Sequence, residues 1–154
     1  PTGDPLPFAV WQTDLRGVDL TGVAGLAGAD LSGARLDKSR LTGMDLSGAD
    51  FGGAQLPDAE LADAVLAGAR LAGADLGGAQ LQDADLRGAD LTGADLRGSR
   101  LPRVRLAAAQ LAGARLNGNL IGLDFSGLDL SGASLAGANL KDARFVGTGL
   151  ERAD

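Results

Sequence analysis

The side chains able to do chemistry here are carboxylates, hydroxyls and cations only. The chain has 20 aspartates and glutamates, 14 lysines and arginines, and no histidine, cysteine or tyrosine. A serine needs a neighbouring base to become a nucleophile. A carboxylate pair does acid–base work only in a cleft that shifts one pKa. The spacing offers neither arrangement. Ser32, Ser47, Ser126 and Ser131 recur at one fixed place in a short repeat, and most aspartates recur at another. Without cysteine, disulfides and thiol chemistry do not arise. The expectation is a non-catalytic protein with no cofactor and no metal. Glu60, Asp63 and Asp83 come nearest to a hard-cation set, and solvated surface charge is the simpler reading of them.

The elements that must position these groups follow from one period. A leucine or phenylalanine recurs every fifth residue from Leu26 to Leu116 and again from Leu120 to Leu150. Two places before each centre stands a small residue, usually alanine, and one place before stands a polar one. Two places after, glycine is commonest. Met44, Val104, Leu123 and Leu128 break the small-residue rule. A period of five fits neither a helix at ~3.6 nor a strand at ~2, so the chain must be a solenoid. The phase slips twice: one residue is added between Leu20 and Leu26, and one is lost between Leu116 and Leu120, with Ile121 as an alternative centre. Few aromatics are present, so the core is leucine and alanine. No apolar run approaches the ~20 residues that span a bilayer, and a cytoplasmic protein is the default expectation.

Runs such as Ala84-Asp85-Leu86-Arg87-Gly88 and Ala89-Asp90-Leu91-Thr92-Gly93 resemble the pentapeptide-repeat family, whose consensus is A(D/N)LxG. The resemblance covers residues 13–150. It implies an all-β fold, a right-handed quadrilateral parallel β-helix of about seven coils, each of four pentapeptides and rising ~4.8 Å. Centre and small residue point inward, so Leu31, Phe51, Leu71, Leu91 and Leu111 should stack as one interior ladder. A type II turn at each corner needs positive φ at its second central residue, which glycine supplies. Lys38, Asp58, Asp63, Asp83, Arg103 and Asp142 replace that glycine, and a different turn is expected at those corners. Residues 1–12 read as an N-terminal cap around Phe8 and Trp11, and 151–154 as a short tail. No cap follows Leu150, so either an end-to-end homodimer or attachment to a longer chain is expected.

Residues 20 apart should share a wall. One wall carries Asp30, Asp50, Arg70, Asp90, Gln110 and Asp129, flanked by small corner residues. The wall before it carries Asp45, Val65, Asp85, Arg105, Asp124 and Arg144, alternating in sign from Asp85 onward, which reads as ion pairs between coils. Formal net charge is -6, which disfavours direct binding of nucleic-acid phosphates and suits a basic protein partner. The arginine-rich stretch Arg97, Arg100, Arg103, Arg105 is distributed over three walls, and aromatics to stack on bases are missing. The reading is a rigid interaction or scaffold module whose contact residues are Asp30, Asp50, Asp90 and Asp129, flanked by Asp45 and Asp85, with an unidentified protein partner. The family resemblance implies an alternative. Some members mimic B-DNA in size and charge, bind DNA gyrase or topoisomerase IV, and protect these type II topoisomerases from quinolones or other topoisomerase poisons, a form of antibiotic resistance. Arg70, Arg105 and Arg144 interrupt the acidic columns that such mimicry would use.

Overall fold

The Leu31 carbonyl accepts a hydrogen bond from the Ala34 N–H at 3.0 Å, closing a tight corner over Ser32 and Gly33. The same bond recurs five residues on, from Ser39 to Leu36, and again from Met44 to Leu41. Each pentapeptide is thus one short straight side and one corner. The computed structural model describes residues 14–154. Phe8, Trp11 and the expected cap segment 1–12 lie outside the described residues.

Four sides close a coil. Parallel bridges join residues 20 apart in four columns, as in Asp30↔Asp50, Arg35↔Gln55, Arg40↔Glu60 and Asp45↔Val65. Each side donates upward and accepts from above: the Leu31 N–H bonds the Asp50 carbonyl at 2.7 Å, and the Asp50 N–H bonds the Ala29 carbonyl at 2.9 Å. Leu31, Phe51, Leu71, Leu91 and Leu111 are all buried, at 2% exposure or less, and form the expected ladder. Alanines two places earlier complete the interior, and Met44, Val104, Leu123 and Leu128 occupy the same inward slot. Phe125 stacks on Phe145 with ring centroids 5.2 Å apart. Each fully buried leucine contributes about 2 kcal/mol, against ~1–2 kcal/mol per residue of backbone ordering. Cohesion between neighbouring coils therefore decides stability.

The corners overturn one expectation. Lys38, Asp58, Asp63, Asp83, Arg103 and Asp142 do not adopt a different turn; their φ values of 56 to 60° match the glycine corners. Ala108 and Arg152 join them at 60 and 62°. The reason lies in the stacking bonds. The corner N–H must reach the coil above, as Lys38 reaches the Pro57 carbonyl at 2.9 Å and Asp58 reaches Gly77 at 2.8 Å. That bond fixes the peptide, and a non-glycine corner accepts about 1–2 kcal/mol of left-handed strain. Aspartate tolerates this region better than most residues, and it fills four of the eight such corners among the described residues.

The two phase slips are handled differently. The extra residue before Leu26 costs one rung: Asp14↔Arg35 and Asp19↔Arg40 still pair, now 21 apart, but Gly25 has no bridge to Asp45 among the described residues. An added residue can bulge outward at a corner. A missing residue has no such remedy. Between Leu116 and Leu120 the corner shrinks to Asn117 alone, because Gly118 already occupies the inward slot and accepts the Asn139 N–H at 2.8 Å. Leu120 is the centre, at 1% exposure, and Ile121 points out at 43%. On the far side of this corner the ladder fails. Arg115 still bridges Ser134, 19 residues on. Among the described residues, however, Arg100 has no bridge to Asn119, Arg105 none to Asp124 and Gln110 none to Asp129.

No helix among the described residues is long and apolar enough to cross a membrane.

Candidate functional site

The outer walls are built from the residue just before each centre. Its side chain faces solvent, and the N–H two residues later, at the corner, also faces outward without a coil-to-coil partner. An aspartate at this place satisfies that N–H. Asp30 Oδ1 accepts from the Ser32 amide at 3.0 Å, Asp50 from Gly52 at 2.9 Å and Asp90 from Thr92 at 3.0 Å. Asp45, Asp85 and Asp129 do the same with Ser47, Arg87 and Ser131. Asn119 and Asn139 repeat the contact with their amide oxygens. The D/N of the repeat is therefore a corner brace before it is anything else.

The brace also lowers the acids. The Ser32 hydroxyl, then its amide, holds Asp30 below the ordinary carboxylate range, and Ser47 does the same to Asp45. For Asp129 the Ser131 amide leads and its hydroxyl follows. Hydrogen bonds from the Arg87 guanidinium depress Asp85, against the opposing effect of burial.

The six candidate contact residues separate by their neighbours. Asp85 is buried, its side chain 4% exposed, and it is held by Arg87 at 2.7 Å and Arg105 at 3.3 Å. Its charge is spent inside the wall, leaving little for a partner. Asp50 pairs with Arg70 at 3.0 Å. Asp30, Asp45 and Asp129 are exposed and Asp90 half-buried, and no cation lies within 4 Å of any of the four among the described residues. Three of these, Asp30, Asp90 and Asp129, share one wall. That wall's stacked aspartates Asp30 and Asp50 do bridge, with the repulsion relieved by Arg70 on the far side of Asp50. On the neighbouring wall the expected ion pairs form between Asp85 and Arg105 and, at 3.9 Å, between Asp124 and Arg144.

The arginine stretch is largely neutralised. Arg97 pairs with Asp95 at 2.6 Å, Arg103 with Asp83 at 2.5 Å and Arg105 with Asp85. Arg100 alone of the four has no carboxylate within 4 Å among the described residues. Of the cation-site trio, Asp83 is held by Arg103 and Glu60 lies 3.3 Å from Arg40. No group of three acids among the described residues converges on a point that would hold a cation. A concavity of about 500 Å³ opens beside the unbridged coils, lined by Arg100, Pro102, Asn119 and Ile121 among others. Among the described residues, the large apolar side chain most exposed is Val146, at 70%. Sequence reading missed it because the corner place tolerates any residue type.

These features define a β-solenoid whose inside is filled and whose chemistry lies on its walls. The sequence matches the family model of pentapeptide repeats over residues 24–61, 59–98, 79–118 and 119–154, and the chain belongs to that family. A search of curated proteins found no match. Among solved structures, the trypsin-treated R167E form of QnrB1, a plasmid-mediated fluoroquinolone resistance protein, superposes with a TM-score of 0.65 at 23% identity, over 83% of this chain and 66% of that one. Full-length QnrB1 gives 0.59 at 22% identity, over 90% of this chain and 82% of that one. Rfr23, a pentapeptide repeat protein from the cyanobacterium Cyanothece 51142, gives 0.38 at 22% identity, over 77% and 62%. The likeness to QnrB1 establishes a right-handed β-helix and nothing finer.

Proposed function

We propose that this chain is a non-catalytic interaction module that offers one wall of its β-solenoid to a basic protein partner. The observation that carries this reading is the set Asp30, Asp90 and Asp129. Each keeps its charge without an arginine partner, each is braced by its own corner amide, and all stand on one wall with small neighbours. Asp50 is the fourth member, shared with Arg70. A preformed, braced surface lowers the ordering cost of association, and uncompensated charge on it steers an oppositely charged partner. Over about seven coils the wall extends roughly 33 Å, and three coils, about 14 Å, separate Asp30 from Asp90. Charge reversal tests the reading. The triple variant Asp30→Lys, Asp90→Lys, Asp129→Lys should lose its captured partners, while Asp75→Lys on another wall keeps them. Equal capture by both would remove the acidic wall from the account.

A second reading has support of its own in the fold shared with a fluoroquinolone resistance protein. In it, the partner is a type II topoisomerase and the acidic columns stand in for DNA phosphates. Supercoiling by purified DNA gyrase with a quinolone present decides it: rescue at micromolar protein supports the reading, and no rescue removes it.

A further inference from the structure

The failed ladder runs along three consecutive walls. Below it, the N–H groups of Leu101, Leu106 and Leu111 point along the rod axis, as every centre does, yet among the described residues none of them finds a carbonyl above. Above it, the N–H groups of Asn119, Asp124 and Asp129 find none below. The coils on either side are fully bonded: Leu81, Leu86 and Leu91 reach Arg100, Arg105 and Gln110, and Leu120, Phe125 and Leu130 reach Asn139, Arg144 and Gly149. The gap is therefore a single seam. It is bounded at one corner by Gly98 to Asn117 at 3.2 Å and at the other by Gly113 to Ser131 at 2.8 Å. Between those corners lies the one joined wall, where Arg115 bridges Ser134 and the Asn117 side chain bonds the Ala136 carbonyl at 2.7 Å.

We propose that this seam is a hinge: the lower rod, to Gly118, and the upper rod, from Asn119, are stiff bodies joined along the Arg115–Ser134 wall and free to open on the opposite side. Two further observations agree. The interior side chains at the seam are less tightly enclosed, with Val104 at 9% and Leu106 at 7% where Leu81, Leu86 and Leu91 below are at 0%. The ion pairs stop there too: Arg105 bonds down to Asp85, while Asp124 pairs only upward with Arg144. The cause is legible in the chain. With Gly118 taking the small-residue place before Asn119, the preceding pentapeptide keeps only Asn117 at its corner, so the coil closes on a shorter path and the ladder is lost along the next three walls. The hinge also cuts the acidic wall between Gln110 and Asp129. Its angle sets how far Asp129 stands from Asp90, whatever the partner.

Two measurements test this. Amide hydrogen exchange on the native chain should show Leu101, Leu106 and Leu111 exchanging on the order of a hundredfold faster than Leu81, Leu86 and Leu91, although all are buried. Equal protection would overturn the seam. Nitroxide pairs on introduced cysteines, free of background because the chain has none, then read the motion. Ser47→Cys with Val146→Cys spans the seam on the opening side and should give a broad distance distribution. Ser32→Cys with Ala112→Cys lies wholly below it and should give a narrow one. Inserting one alanine between Gly118 and Asn119 restores the repeat and should narrow the spanning pair to the width of the control. A spanning pair already as narrow as the control would overturn the hinge even if exchange is fast. Should the insertion fail to fold, the exchange contrast and the two widths in the parent chain still decide.

Discussion

Arg103 stands one coil above Asp83, and its guanidinium grips that carboxylate with Nε at 2.6 Å and a second nitrogen at 2.5 Å. Both residues occupy left-handed corners, at φ 58 and 60°. The pair couples two strained corners across one stacking step. Asp83→Asn keeps the side chain's tolerance for this conformation and removes the charge, so it isolates the ion pair. The expected loss is small and shrinks with salt, because the arginine is mostly exposed. Arg103→Gly removes the pair and the strain together and should be close to neutral by urea denaturation. A large loss for Asp83→Asn that salt does not reduce would mean the contact does more than a surface pair can.

Two glycine corners separate backbone strain from crowding. At Gly33, φ is +64° and a Cβ would meet nothing within 4 Å. Gly33→Ala should therefore cost only the left-handed penalty, about 1–2 kcal/mol. At Gly78 a Cβ would also meet the Asp58 carboxylate, but that is the free end of a side chain and can turn aside. Gly78→Ala should therefore lose about as much as Gly33→Ala. A much larger loss at Gly78 in thermal melts would show that the Asp58 carboxylate is held in place.

Asp85 and Asp90 occupy the same place in consecutive pentapeptides but have different surroundings. Asp85 is buried between two arginines, whereas Asp90 braces only its Thr92 amide. Asp85→Ala should cost about 1–2 kcal/mol, discounted from a fully buried pair because both arginines are half exposed. Asp90→Ala should cost about 0.5–1 kcal/mol, the value of one hydrogen bond. The stability ranking is thus the reverse of the expected ranking in partner binding, where Asp90 matters and Asp85 does not.

Acid should loosen the rod. Asp14, Asp19, Asp30, Asp45, Asp83, Asp85, Asp95, Asp124 and Asp129 all lie below their ordinary values when folded. Asp14 is brought down to about 2 by its hydrogen bonds from Arg16. A carboxylate depressed in the folded state contributes stability that is fully present above its unfolded pKa of about 3.9, and that contribution is lost as pH falls through the folded value. The urea midpoint should be level from pH 7 to about 5 and drop from about 4 toward 2. A midpoint that rose on acidification would show that repulsion between stacked aspartates outweighs their bracing.

Much of this was legible in the residues. The five-residue period, with the four-sided coil that the family resemblance implies, placed Leu71 and Leu91 inside and Asp30, Asp50 and Asp90 on one wall, because a repeat that closes after 20 residues leaves no freedom in either assignment. Aspartate bracing was also readable, since this side chain habitually bonds nearby amides. The corners at Lys38 and Arg103 were misread because local propensity was weighed without the stacking bond that overrides it. The seam was invisible for a related reason. The sequence shows the missing residue before Leu120 but not that the insertion costs the ladder one wall while the deletion costs it three. Asp85 looked like its neighbours because burial at the surface depends on Arg87 and Arg105 folding over it.

The central claim is geometric: outward residues 20 apart lie directly above one another on a filled, four-walled rod. The most direct test is the nitroxide distance between Ser32→Cys and Ala112→Cys, which are 80 residues apart in sequence and occupy one corner column below the seam. Four stacking steps predict a single narrow peak with a backbone separation near ~19 Å. A peak beyond about 30 Å, or none resolved at all, would contradict the coil and with it every wall assignment made from it.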